Sequence, residues 1–155
     1  MSDTLTLGAL SLTSASHVCE DMTGVYAPPE IRGGPRTIPG EAGVRARKLV
    51  RGAARFVLPI MVFGTSQPDG TPYTDVREGL RINIQLLAQA CLPSESPVTV
   101  TMTHTLPDGG TRVAQVQILG LDGPVPVGPA AARMVADVLV PSGTWTYTAA
   151  VLGLT

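Results

Sequence analysis

From Val98 to Leu106 polar and apolar residues alternate for nine positions, Pro107-Asp108-Gly109-Gly110 then supplies turn chemistry, and Arg112 to Leu119 returns with Ala114, Val116 and Ile118 on one face. A period of two on both sides of a glycine turn specifies a β-hairpin with one apolar face, and such a face must be covered by a second layer. The same alternation opens the chain: Thr4-Leu5-Thr6-Leu7 is interrupted by Gly8 and resumes at Leu10-Ser11-Leu12, which predicts a first strand or short hairpin, and Val18 to Glu20 extends the sheet. Phe56 to Phe63 is apolar at every position, the pattern of a strand covered on both faces, with Pro59 marking an edge or bulge. A glycine and proline loop from Gly120 to Pro129 leads to Arg133 through Val140, where Met134, Ala136, Val138 and Val140 turn inward, and Pro141-Ser142-Gly143 turns into Trp145-Thr146-Tyr147.

One helix is expected, over about 75–91. Asp75 caps its first turn, Glu78 three residues on closes a capping box, and Val76, Leu80, Ile84, Leu87 and Cys91 recur at helical spacing beside a second row of Ile82, Leu86 and Ala90. Gly79 inside this helix costs about 1 kcal/mol relative to alanine unless something packs closely against it. Short strands around a single helix predict a mainly β fold: an antiparallel β-sandwich with one flanking α-helix, formed as a single domain over 1–155, with a long loop at about 24–43. In that loop nine of twenty residues are glycine or proline, and a loop of this length in a compact domain is usually functional or disordered.

A chain of 155 residues can bury a core without disulfides. Cys19 and Cys91 are therefore expected to be buried reduced thiols. Only 15% of residues are charged while 44% are apolar, which suggests extra buried surface, as in a subunit packed among copies of itself. A net charge of -1 excludes a uniformly basic protein that coats nucleic acid. The start, Met1-Ser2-Asp3-Thr4, lacks the basic and apolar regions of a secretory signal, and Phe56 to Phe63 is far too short to span a bilayer. No membrane partner is expected.

Chemistry has little to work with. His17 lies near Cys19 and His104 stands alone in a strand, so no spacing gathers metal ligands, and neither metal nor cofactor is expected. Ser16-His17 and Cys19-Glu20 are sequence neighbours, but adjacent strand residues face opposite ways, so no nucleophile, base and acid converge. Glu20-Asp21 reads as a solvated strand end. Gly33-Gly34 lacks the Gly-Lys-Ser/Thr ending of a phosphate loop and precedes no helix. The expectation is a protein that is not an enzyme.

The positive charge is concentrated. Seven of the eleven cations fall between Arg32 and Arg55, and Lys48 is the only lysine among them. Arg45, Arg47, Arg51 and Arg55 could alternate to one face of an arm or edge strand, where a solvated edge that discourages stray pairing is the plain reading. Arginine, however, tolerates burial at interfaces and grips carboxylates with two parallel hydrogen bonds, which favours contacts between subunits. The segment has no aromatics on which bases could stack.

The order of these features resembles a family. Arg32-Gly33-Gly34-Pro35-Arg36-Thr37-Ile38-Pro39-Gly40-Glu41-Ala42-Gly43-Val44 leading into a basic strand and Leu58-Pro59-Ile60-Met61-Val62-Phe63-Gly64 resembles the small tail proteins of long-tailed bacteriophages of actinobacteria. The Pro68-Asp69-Gly70-Thr71-Pro72 turn, the capped helix, the Pro107 to Gly110 hairpin and the Val140-Pro141-Ser142-Gly143 turn are similar too. Ile38-Pro39-Gly40 resembles the loop of distal tail proteins, which implies a tail-tube-related β-sandwich assembling into a six-fold ring that joins the tail tube to the tip. The implied partners are copies of itself in a hexamer, the tail tube protein, the tape measure protein and tail tip or hub proteins, within the tail of a virion made in the host bacterial cytoplasm. No sequence-specific nucleic acid is implied: arginines facing a DNA channel would grip the genome, so Arg36, Arg45 and Arg47 are expected at protein contacts. The expected interface set is Arg32, Arg36, Ile38, Pro39, Gly40, Arg45, Arg47 and Arg51. Distal tail proteins commonly carry a second domain, and a tube or tail-terminating subunit fits the size equally well. A carbohydrate- or peptide-binding sandwich, the alternative of another class, requires aromatics on one exposed face.

Overall fold

In the computed structural model, which describes residues 3–26, 28–29, 31–32, 50–91 and 99–148, the chain is mainly antiparallel β with one helix. The strands are β1 (Thr4–Leu7), β2 (Leu10–Ser11), β3 (His17–Cys19), β4 (Ile31–Arg32), β5 (Val50–Arg51), β6 (Ala54–Phe63), β7 (Val100–Thr105), β8 (Thr111–Gly128), β9 (Ala131–Val140) and β10 (Thr146–Thr148), and the helix is α1 (Val76–Cys91). Eight strands form one sheet in the order β2-β1-β7-β8-β9-β6-β3, with β10 on β8, while β4 and β5 pair only with each other.

β8 turns this sheet into a sandwich. Its first part pairs with β7 and its remainder with β9, with register shifts at Ile118/Gly120, Asp122/Val125 and Pro126/Gly128. Such bulges bend a strand and increase its twist, so one chain segment serves both layers. The stretch from Gly120 to Pro129, expected as a loop, is thus strand through Gly128: the bulges absorb residues that would otherwise break the ladder.

The far ends of the sheet meet at Leu12. Its N–H donates to the Leu5 carbonyl (2.8 Å), its carbonyl accepts from Cys19 N–H (2.7 Å), and Thr13 bridges Val18. This nearly closes the sheet, so both end strands find partners.

The core lies between the layers. Leu5, Leu7, Phe56, Leu58, Ile60, Val62, Met102, Val116, Met134 and Val138 are buried and share it with Leu87 and Cys91 of α1; each large side chain removed from water stabilises the fold by about 1.5–3 kcal/mol. β6 is not covered on both faces. Burial alternates along it, with Arg55 and Val57 exposed, because an antiparallel sheet of this kind presents only one face to the core. Pro59 does mark an edge: Glu20 N–H donates to its carbonyl (2.9 Å), but proline cannot return the bond, and the β3 ladder stops at Cys19↔Ile60.

The helix forms over the expected range with two differences. Asp75 caps it through Arg77 N–H (3.0 Å), but Glu78 turns away from the cap to pair with Arg81, whose guanidinium offers it a stronger charge-assisted contact than a backbone amide. The fully buried stripe is Gly79, Asn83, Leu87 and Cys91, and Val76 is exposed. The helix is rotated onto its smallest residue because Gly79 sits directly against the strand-end residue Gly64.

Candidate functional site

The two described ends of the arginine-rich segment pair with each other. Ile31 pairs with Arg51 and Arg32 with Val50, so β4 and β5 form a two-rung antiparallel ladder at the base of residues 33–49. Of the expected interface residues, Arg32 and Arg51 therefore lie on this ladder; Arg36, Ile38, Pro39, Gly40, Arg45 and Arg47 lie outside the described residues. Part of the expected 24–43 loop is thus regular, since Thr23–Tyr26 forms a 3-10 turn and Ile31–Arg32 a strand.

This root is bolted to the sandwich. Asp21 accepts from Thr23 N–H (2.9 Å) and from its hydroxyl (2.7 Å), starting the 3-10 turn. Gly24 approaches the exposed edge of β6 so closely that a Cβ there would stand 3.1 Å from Phe56 Cβ and the Val57 carbonyl. On the other side Gly143, at φ +69°, would bring a side chain into the Gly52 carbonyl and to 2.9 Å from Pro29 Cβ. Only glycine allows the Pro141 to Thr144 turn to press on Pro29 and Gly52, which flank the two strands of the root.

A cationic clamp lies next to it. Arg112 of β8 donates through Nη2 to the Val25 carbonyl (2.9 Å) and through Nε and Nη2 to His104 Nδ1 (3.3 and 3.1 Å), and its guanidinium lies over the Tyr26 and Trp145 rings at 4.7 and 4.6 Å. Because Nδ1 accepts, His104 carries its proton on Nε2, which faces Asp3 Oδ2 at 3.3 Å, off the hydrogen-bond direction. Tyr26 hydroxyl also donates to Asp3 Oδ2 (3.1 Å). Burial holds the His104 pKa below the ordinary histidine value, against the pull of Asp3. One side chain thus ties β8 to β7, to the 3-10 turn and to the residue before β10.

The sequence gives no hint of this convergence, since residues 3, 26, 104, 112 and 145 share no motif. It also places two aromatics around a protein cation, where a carbohydrate reader would leave them free for a sugar face.

The expected separation of Ser16 from His17 does not hold. Ser16 precedes β3, so strand alternation does not apply, and its hydroxyl lies 2.7 Å from His17 Nδ1. His17 Nε2–H must donate to the Asn83 carbonyl (2.8 Å), which leaves Nδ1 to accept from Ser16. Both side chains are completely buried, and burial lowers the His17 pKa. A hydroxyl and an imidazole sealed from solvent make a structural pair. Asn83 continues the network: its Nδ2 donates to the Phe63 and Ser66 carbonyls (2.6 and 2.9 Å) and its Oδ1 accepts from Tyr73 hydroxyl (3.1 Å).

The remaining candidates resolve singly. Arg55 does not act with the other arginines; it forks onto Asp137 across the outer face of β6 and β9, which holds that carboxyl below the usual range. Arg133 grips Glu20 in the same manner (2.9 and 3.2 Å). Cys19 and Cys91 are buried free thiols, as expected, and burial pushes the Cys91 pKa up to about 12. Among the described residues no group of three or more His, Cys, Asp or Glu could hold a metal ion, and no helix is long and apolar enough to cross a membrane.

Neither a protein-family model nor a curated protein matches this chain. Among solved structures, its backbone is similar to the SPP1 Dit (gp 19.1) protein, described as a paradigm of the hub adsorption apparatus in phages that infect Gram-positive bacteria. The likeness has a TM-score of 0.58 at 19% sequence identity, covering 90% of this chain and 50% of that one. The chain thus spans half the length of the Dit protein and shares its fold over that span.

Proposed function

We propose that this chain is a non-enzymatic structural subunit of a long-tailed bacteriophage tail, forming a ring that connects the tail tube to the tip. The observation that carries the reading is the backbone likeness to SPP1 Dit over 90% of the chain, which agrees with the family resemblance of the Arg32 to Gly64 segment. A single domain of 1–155 builds the ring, which is hexameric, and its neighbours are the tube protein, the tape measure protein and tip or hub proteins. The host is an actinobacterium, on the resemblance of sequence alone. The chain is made in the host cytoplasm and resides in the virion tail.

The ribbon rooted at β4 and β5 makes the contact between subunits. Its two strands pair with each other where Gly143 packs against the flanking Gly52 and Pro29, and Arg32, Arg36, Ile38, Pro39, Gly40, Arg45, Arg47 and Arg51 engage the adjoining copy. A closed ring of identical contacts follows if the rotation between neighbours closes.

The test is a density map of the intact particle. The expected result is one ring of this chain where tube meets tip. Many stacked layers would make it a tube subunit, a ring at the opposite end of the tube a terminator, and its absence from the particle would overturn the proposal.

A further inference from the structure

Two apolar features at opposite ends of α1 are left without a partner among the described residues. The first is a groove of about 510 Å³ beside the last turns of the helix, lined by Leu7, Leu10, Pro68, Leu86, Ala90 and Val100 among others. The second is the distal edge of β8. Residues 122–129 are all exposed, Val125 by 60% and Val127 by 51%, and no ionisable side chain occurs between Asp122 and Arg133.

The edge belongs to the other end of the helix. The turn after β8 is held by Gly64 N–H donating to the Ala130 carbonyl (2.8 Å), and Gly64 packs on the first turn of α1, with Leu80 N only 2.6 Å from where its Cβ would lie. From residue 79 to residue 89 a helix rises about 15 Å. The β9 ladder fixes the edge in place, so it cannot fill the groove of its own molecule.

An exposed apolar strand edge is normally guarded or covered. Here Pro124, Pro126 and Pro129 cannot donate to an incoming strand, so this edge offers side chains and no regular ladder. Knob and hole on one chain, at opposite ends of one helix, define a head-to-tail contact, the kind that generates rings.

We propose that Val125 and Val127 of one copy insert into the groove lined by Leu86, Ala90 and Val100 of the next. The inference rests on the ring reading and supplies it with a second contact, apart from the arginine ribbon. The area fits that role: eight edge residues fall short of the roughly 20–30 residues a side of a stable pairwise interface, so this contact works together with another.

The experiment uses the full chain in two forms. In sedimentation, the Val125→Asp/Val127→Asp variant and, separately, Leu86→Asp are compared with the wild type; each is expected to weaken self-association roughly 100-fold while far-UV circular dichroism stays unchanged. Val127→Cys chains are then mixed with Gln89→Cys chains under oxidation, and a covalent dimer is expected in the mixture and in neither chain alone. A wild type that associates while the variants associate equally well, with no mixed dimer, overturns this contact and leaves the ring reading standing; the groove then serves another partner. A wild type that remains a monomer at all concentrations overturns both.

Discussion

Gly79 in α1 lies against Gly64 just past the end of β6 so closely that a side-chain carbon on either would collide with the other's element: a Cβ on Gly79 would run into the Gly64 carbonyl and the Tyr73 ring. Gly79→Ala should therefore destabilise the protein by about 1–3 kcal/mol, although alanine is the better helix former, because overpacking exceeds the gain in propensity. Urea denaturation measures it. A neutral or stabilising result would mean that helix and strand separate freely.

Asn83→Ala should cost about 2–4 kcal/mol, since it removes a fully buried side chain and leaves two carbonyls and the Tyr73 hydroxyl without their partner. His17 stays bonded, because it contacts the Asn83 backbone. Thermal unfolding of the variant checks the loss, and its near-UV circular dichroism shows whether Tyr73 has come loose.

Both histidines have pKa values lowered in the folded state, with burial the main cause. The unfolded chain takes up protons near the ordinary value of 6.5 while the folded one resists them, so stability is complete above that pH and falls as the pH drops below it. Denaturation midpoints measured at pH 7.5 and at pH 5.5 should differ less in His17→Gln and in His104→Gln than in the wild type. An unchanged difference would move the titration to other groups.

Arg112→Lys should lose the hydrogen bonds to His104 and Val25 and weaken both ring contacts, at a cost of about 1–2 kcal/mol. Trp145 is the only tryptophan, so its fluorescence reports the clamp directly. Emission identical to that of the wild type would place the guanidinium away from the indole in solution.

Reversing charge in the ribbon, Arg36→Glu with Arg45→Glu, should abolish assembly and leave the unfolding temperature of the isolated chain within about 1 °C, because the proposed role of both is toward a neighbouring copy. Light scattering after size-exclusion chromatography reads the assembly. Variants that assemble as the wild type does would remove the ribbon from the interface.

What the sequence determined by itself is the local periodic structure. The alternation from Val98 to Leu119, the capped helix, the turn glycines and the edge at Pro59 were legible because each depends on residues within one or two turns of chain. Tertiary structure decided the rest. Whether Phe56 to Phe63 is covered on one face or two depends on how many layers pack against it, and composition alone cannot count layers. The bulges that carry β8 through its glycines and prolines depend on the ladder to β9. The Arg112 clamp and the Asn83 network join residues up to a hundred positions apart, and a lone arginine or asparagine in a string gives no sign of which carbonyl it will meet. The closure at Leu12 is of the same kind, because a backbone amide and carbonyl carry no sequence identity and find their partners only when the sheet has curled.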